Sequence, residues 1–476
     1  MSGALISSNW IKVPESRYTG GSGMEKENKR KRRPWAAILL VCCTLALWGG
    51  APVLRDAGAR VYIDIDSPAF QKIPVAVADF APMQGNSGHE ELSSWFPGAL
   101  NKSLDLTGYF TLLDAHGSSL KANPPASKEG GVDFAGWSNL GAEYLISGGF
   151  AHHGGKLSAE FRLFDVVQGR QVLGKQYSGG FEDRGEMVLS FTREVLRLLT
   201  GAEGFFDTRV AFVARQGQSS TLYTAGFGAV LGAQELTRVM NSPALILSPR
   251  WSPDGRYLCF ASYRDGQPDV FVISPSGFGL KKIVGFKGLN LPGAWSPDGR
   301  RLLLTLSKDG NEEIYAMEIG SGQLQRLTSN FGIDVSPVWS PDGRKIAFVS
   351  SLSGSPQIYV MNADGGDARR LTYSGSYNTS PAWSPKGDKI AYEGRSGSGY
   401  HIFSVDEDGG NVRQLTSGAG DHESPSWSPD GRFLVFTIRS GGRSRINILN
   451  VNTLDTRTIY ESADRILSPA WSPRLK

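Results

Sequence analysis

Catalysis by a protein needs nucleophiles, proton carriers or metal ligands at fixed spacings, and this chain offers few. Its six histidines are His89, His116, His152, His153, His401 and His422. None falls in a His-Glu-x-x-His pattern, where two imidazoles one helical turn apart would hold zinc. No Gly-x-Ser-x-Gly elbow presents a serine, and neither a phosphate loop nor a dinucleotide fingerprint occurs. Of the three cysteines, Cys42 and Cys43 sit in an N-terminal apolar run. Cys259 is left alone and cannot form an internal disulfide or a multi-cysteine metal site. In Tyr257-Leu258-Cys259-Phe260 it reads as a buried, inert thiol. Paired carboxylates across a cleft, which a glycosidase requires, are not legible in a sequence. The expectation is a binding protein without catalytic residues, cofactor or metal, with a hydrolase as the alternative.

Recognition chemistry is better represented, and a repeat displays it. Trp-Ser-Pro begins at Trp251, Trp295, Trp339, Trp383, Trp427 and Trp471, in steps of 44 residues. Four copies continue as Asp-Gly-Arg, from Asp254, Asp298, Asp342 and Asp430; the fifth reads Lys386-Gly387-Asp388. Five residues before each tryptophan stand Ile246, Asn290, Asp334, Asn378, His422 and Ile466. Beside them lie Tyr377, Thr379, Asp421, Glu423 and Arg465. Loop residues that vary between otherwise matching repeats suit a specific protein partner. Asn290, Asp334, Tyr377, Asn378, Thr379, Asp421, His422, Glu423 and Arg465 are therefore the expected partner-binding residues. Asp421, His422 and Glu423 could contribute to a cation, but three neighbours alone cannot close a site.

The elements that position these residues follow from one unit. Ser340-Pro341-Asp342-Gly343 is a tight turn, with proline presetting φ and glycine relieving the steric cost after it. Lys345–Ser350 and Gln357–Met361 are strands by their β-branched and aromatic content. Ala363-Asp364-Gly365-Gly366 turns the chain, Ala368–Leu371 is a further strand, and Ser380–Trp383 opens the next unit. Four strands in this length make a propeller blade. Five full copies begin at Trp251, Trp295, Trp339, Trp383 and Trp427. Arg209–Val213, Thr221–Thr224 and Gln234–Thr237 supply three strands without a Trp-Ser-Pro, and Ser468–Pro473 supplies the missing innermost one. A six-bladed β-propeller closed by its last strand is expected, without a long exposed sheet edge. The crossing loops, with the candidate residues, and the second-to-third-strand loops Asp309–Asn311 and Ser396–Ser398 then open on one face. The Pro-Asp-Gly turns face the other way and are read as scaffold, with the tryptophans packed between blades.

Charge separates the N-terminus from the rest. Residues 1–59 carry 9 Lys and Arg against 4 Asp and Glu, leaving 41 basic and 42 acidic side chains elsewhere. A nearly neutral body offers no general attraction for nucleic acid or anionic membrane. Lys29–Arg33 precedes the uncharged run Pro34–Leu54, and Ala57-Gly58-Ala59 fits a small-x-small cleavage rule. This is the pattern of a secretory signal, with Arg60 the first mature residue and no direct membrane insertion afterwards. An uncleaved anchor is the alternative. Met24 directly precedes the basic stretch and is a candidate true start. Residues 60–200 read as an α/β domain and 205–476 as the propeller. Arg60-Val61-Tyr62-Ile63-Asp64-Ile65-Asp66 alternates strictly, which suggests an exposed extended segment or edge strand. Ile73–Phe80 reads as a buried strand, Glu90–Leu106 as a helix, Tyr144–Gly148 as a strand, and Lys156–Tyr177 as a hairpin around Gln168-Gly169. Glu182–Leu199 is an amphipathic helix ended by Gly201.

Together these features resemble the TolB family, the periplasmic propeller proteins of the Tol–Pal envelope system of Gram-negative bacteria. The likeness runs from Arg60 to Lys476. It rests on Ile73–Phe80, Trp137–Leu145, Leu199-Thr200-Gly201, Thr208–Phe212 and the repeated Ser-Pro-x-Trp-Ser-Pro-Asp-Gly. The extension before Met24 departs from the family pattern and bears on the start codon. The resemblance implies a periplasmic monomer that binds Pal, a peptidoglycan-associated lipoprotein, on one propeller face. It also implies that the mature segment Arg60–Asp66 engages TolA, an inner-membrane protein, in support of outer-membrane integrity and envelope constriction at division. A surface-repeat protein without a Tol partner is the remaining alternative.

Overall fold

Each repeat of the sequence forms one four-stranded antiparallel sheet. The computed structural model describes residues 63–66, 70–84, 86, 88–115, 131–228, 236–397 and 399–475. The expected signal and cleavage site, Met24, Arg60, Val61, Tyr62, Gln234, Glu235 and Ser398 lie outside the described residues.

From the axis outwards, blade 1 is Ile246–Trp251, Leu258–Ser262, Asp269–Ile273 and Lys281–Val284. Blade 2 is Asn290–Trp295, Arg301–Leu306, Glu313–Glu318 and Leu324–Arg326. Blade 3 is Asp334–Trp339, Lys345–Ser350, Gln357–Asn362 and Arg369–Arg370. Blade 4 is Asn378–Trp383, Lys389–Ser396, Gly399–Asp406 and Arg413–Gln414. Blade 5 is Asp421–Trp427, Phe433–Ser440, Arg443–Asn450 and Thr456–Ser462. The closing blade joins both ends of the ring, in the order Arg465–Trp471, Arg209–Gln216, Ser219–Gly226, Leu236–Ser242. Trp471 lies opposite Val210, and Arg209 N donates to Ser472 Oγ at 2.8 Å.

The repeated motif is a hydrogen-bonded turn. Ser340 Oγ donates to Asp342 Oδ1 at 2.6 Å and accepts from Lys345 N at 2.9 Å, while Gly343 adopts φ 69°. The same Ser–Asp contact recurs at Ser252–Asp254, Ser296–Asp298 and Ser428–Asp430. Where blade 4 has Lys386 for aspartate, Lys386 N donates to Ser384 Oγ instead, at 3.2 Å. Each side chain thus satisfies backbone groups that a sharp turn would otherwise strand. The tryptophans cement neighbouring blades. Trp339 packs with Leu303 and Ala316 of blade 2, and Trp383 with Ala347 and Val360 of blade 3. Trp251 Nε1 donates to the Ala470 carbonyl at 3.1 Å and Trp427 Nε1 to that of Ala382 at 2.9 Å, each bond crossing between blades. Trp295 departs from this pattern, being only partly buried.

Ahead of the ring stands a mixed sheet of β1 (Ile73–Val77), β2 (Ala81–Pro82), β3 (Phe110–Leu113), β4 (Tyr144–His153), β5 (Lys156–Asp165) and β6 (Arg170–Gly180). Its order is β3-β1-β4-β5-β6, with β1 parallel to both β3 and β4. Successive residues of β1 point to opposite faces. Val75 and Val77 meet helices α1 (Leu92–Thr107) and α3 (Arg184–Thr200), while Ala76 meets Trp137 of α2 (Phe134–Asn139). Gly201 ends α3 with φ 70°, as expected of a glycine stop. The core of this layer continues into the propeller through Tyr109–Phe433, at 5.8 Å between ring centres, and Phe205–Trp471, at 5.5 Å. The described residues from Ile63 to Leu475 therefore form one compact unit.

Candidate functional site

Strand alternation defines two propeller faces. Every innermost strand starts on the face of the crossing loops and ends, at its tryptophan, on the face of the Pro-Asp-Gly turns. The α/β layer packs on the turn face. Asn450 Nδ2 donates to the Thr107 carbonyl at 3.0 Å, and Arg457 grips Asp105 at 2.6 and 2.8 Å. Among the described residues, none of these contacts reaches a crossing loop.

On that open face the ring of expected residues divides by burial. Asn290 and Asp334 are 0% exposed, Asn378 2% and His422 4%. They were expected as loop residues open to a partner; instead each starts or joins an innermost strand and holds its own loop. Asn290 Nδ2 donates to the carbonyls of Phe286 (2.6 Å) and Gly288 (3.1 Å). Asn378 Nδ2 donates to Gln357 Oε1 and the Ser374 carbonyl, both at 2.8 Å. Asp334 Oδ2 accepts from Asn330 Nδ2 at 2.7 Å, and burial raises its carboxyl above the ordinary value. The His422 ring stacks on Phe436 at 5.7 Å and lies 4.9 Å from His401. Burial, and then the neighbouring His401, push its imidazole down to about 4. Ile246 and Ile466 are likewise buried. The flanking residues stay reachable. Tyr377 is 38% exposed and Arg465 exposed, while Thr379, Asp421 and Glu423 are half-buried. Asp421 is paired with Arg439 at 2.7 Å. Burial raises the Glu423 carboxyl, opposed by Arg439 and Arg465. Among the described residues, no group of three or more metal-ligating side chains is placed to hold an ion.

Two features of this face escaped the sequence reading. Glu393 is 8% exposed on the second strand of blade 4, its Oε2 accepting from Ser424 N at 3.2 Å and Ser380 Oγ at 3.4 Å. Burial, and then the Glu423 charge, push it up to about 7. Its equivalents one repeat apart are Ala261, Thr305, Val349 and Thr437, so an acid out of pattern was the available signal. The second feature is an apolar arc on the crossing loops: Phe286, Phe331 (86% exposed), Ile333 and Tyr373 (74% exposed), joined by Leu352 from the neighbouring loop of blade 3. The loops beneath are braced, since Asn311 Nδ2 donates to the carbonyls of Asn330, at 3.0 Å, and Gly332. Exposed aromatics clustered on rigid loops are the raw material of interface hot spots.

The N-terminal segment differs from its expectation. Ile63–Asp66 is neither an exposed extended segment nor an edge strand. Ile65 is 2% exposed, Ile63 N donates to the Leu199 carbonyl at 2.9 Å, and residues 65 and 66 turn. The Asp66 carboxylate receives Arg432 Nη2 at 2.9 Å, Asn452 Nδ2 at 3.0 Å and Lys386 Nζ at 3.4 Å. Burial alone would raise the Asp66 carboxyl, but Arg432 and its other partners hold it below the ordinary value. Of those partners, Lys386 and Arg432 belong to the repeat turns of blades 4 and 5, which the sequence reading counted as scaffold.

Comparison with known proteins fits this geometry. Residues 61–172 match the TolB amino-terminal domain and residues 196–475 the TolB β-propeller domain. The Tol-Pal system protein TolB of Syntrophus aciditrophicus is 71% identical over 250 residues, 52% of this chain and 55% of that protein. The Tol-Pal system protein TolB of Pseudomonas aeruginosa is 33% identical over 255 residues, 53% of this chain and 56% of that protein. The chain thus spans about half the length of the curated relatives it matches. The crystal structure of TolB from Acinetobacter baumannii superposes with a TM-score of 0.73 at 28% identity, covering 85% of this chain and 97% of that one. With both domain matches in the order the fold displays, the chain belongs to the TolB family.

Proposed function

We propose that this chain is a periplasmic, non-enzymatic docking component of a Tol–Pal system. A Pal-like peptidoglycan-associated lipoprotein docks on the crossing-loop face, and a TolA-like inner-membrane protein engages the segment Arg60–Asp66. The observation that carries the reading is the asymmetry of the ring: the α/β layer packs on the turn face at blades 4 and 5 and the closing blade, while the opposite face presents the apolar arc around Phe331 and Tyr373. Tyr377, Thr379, Asp421, Glu423 and Arg465 add reachable polar groups at the axial ends of the crossing loops, and buried Asn290, Asp334, Asn378 and His422 hold the loops in shape. Exposed apolar side chains with reachable polar ones on the same face are the composition of a protein interface. Glu393 is engaged by the Ser424 amide and the Ser380 hydroxyl, which supports a structural role for its carboxyl.

The test is calorimetric titration of a soluble Pal-like lipoprotein domain. Phe331→Ala combined with Tyr373→Ala should weaken binding by roughly 30-fold or more, the scale of a hot-spot loss near 2 kcal/mol. Unchanged affinity of the folded double variant would move the interface off this face. Complete failure of the unaltered chain to bind would reject the Tol–Pal reading.

A further inference from the structure

Six residues stand directly before the repeated tryptophans: Arg250, Ala294, Val338, Ala382, Ser426 and Ala470. All six line an axial cavity of about 480 Å³, walled otherwise by tryptophans, prolines and serines of the repeats. Five of the six are small or neutral, and Arg250 is the one charged residue among the described residues lining the cavity. Its recorded hydrogen bond runs from Nη1 to the carbonyl of its own neighbour Pro249, at 3.1 Å. Among the described residues no carboxylate pairs with it or lines the cavity, and burial lowers its pKa from the ordinary value, opposed by the Cys259 thiol. A half-buried guanidinium that lines a cavity without a counter-charge is left with donors to offer a ligand. The sister blades show that alanine, valine or serine fills the same position.

We propose that Arg250 is the head of an anion site in the axial channel, taking a monocarboxylate with an apolar body. Guanidinium offers five N–H donors in a planar fork that matches a carboxylate in two-point contact, and Pro249 uses one. A single cation balances a single negative charge; a phosphate dianion would need a second, and no Lys or other Arg lines the cavity. Indole and proline surfaces suit an aliphatic or aromatic body rather than a sugar. The site reaches the turn-face end of the axis, where Ser252, Pro297 and Pro341 edge it, away from the lipoprotein face proposed above. It therefore stands or falls independently of that reading.

A free small carboxylate and the carboxy-terminus of a peptide share this chemistry, so the experiment uses both. Phenylacetate, phenylacetamide and the tripeptide Gly-Gly-Phe, with free and amidated carboxy-terminus, are titrated into the chain by ligand-observed NMR. Phenylacetate and free Gly-Gly-Phe should bind, the two amides about 10- to 150-fold more weakly, as expected for losing a charged hydrogen bond. Arg250→Met and Arg250→Gln should lose the carboxylates by the same factor while melting no lower than the parent. Tighter binding of free Gly-Gly-Phe than of phenylacetate assigns the site to peptide ends, and the reverse order to free acids. No carboxylate binding, equal binding of acid and amide, or undiminished binding by both Arg250 variants overturns the proposal.

Discussion

Replacing Glu393 by glutamine should stabilise the fold, most of all at alkaline pH. Its carboxyl is pushed from an ordinary 4.5 up to about 7 by burial and then by the Glu423 charge. A group whose folded value is raised binds protons more tightly in the native state. Its stabilising effect is complete below 4.5 and is lost as pH rises through 7. A rise of about 2.5 units corresponds to roughly 3 kcal/mol between those limits, at about 1.4 kcal/mol per unit. Glutamine keeps the shape and an acceptor for Ser424 N but carries no charge. Urea titrations at pH 8 should give Glu393→Gln about 1–3 kcal/mol more stability than the parent, and the advantage should vanish near pH 4.5. His422 works in the opposite sense. Its value is depressed from 6.5 to about 4, so the stability it lends is present above 6.5 and lost as pH falls through 4. The gain of Glu393→Gln must therefore be read against the parent at each pH, where the histidine contribution cancels. A variant less stable than the parent at pH 8, or an advantage that does not change with pH, would refute the reasoning.

Further outcomes follow from the scaffold. Trp339→Ala, which opens the blade 2–blade 3 contact and strips the stacking of Arg301 on the indole at 4.5 Å, should cost roughly 3–5 kcal/mol in urea. Ser340→Ala removes both the donor to Asp342 and the acceptor for Lys345 N; a loss of about 1–2 kcal/mol is expected by the same assay. Arg432→Ala leaves Asp66 with only its Lys386 and Asn452 contacts, and hydrogen exchange at the Ile63 amide, now held by the Leu199 carbonyl, should accelerate while the blade amides keep their protection.

How much of this could be read beforehand depended on whether the determinant was local. The Trp-Ser-Pro period displays its own turn chemistry, because serine, aspartate and glycine act within five residues of one another. Ring closure was legible too, since Trp471 completes a count begun at Trp251. The buried ring was misplaced because Asn290, Asp334, Asn378 and His422 look like loop residues by composition, although the strand starts at or beside each of them. Strand β3 was missed because its pairing with β1 links residues more than thirty positions apart. The docking of Asp66 depends on Lys386 and Arg432, hundreds of residues away and inside turns that resemble every other turn. Long-range ion pairs leave no local pattern.

The claim at the centre of the account is that the crossing-loop face receives the lipoprotein partner. Hydrogen exchange on the chain with and without a saturating Pal-like domain tests it directly. The account predicts slower exchange across residues 286–290, 330–334 and 373–379, with the Pro-Asp-Gly turns at 253–256, 297–300 and 341–344 unchanged. Protection confined to those turns would contradict it.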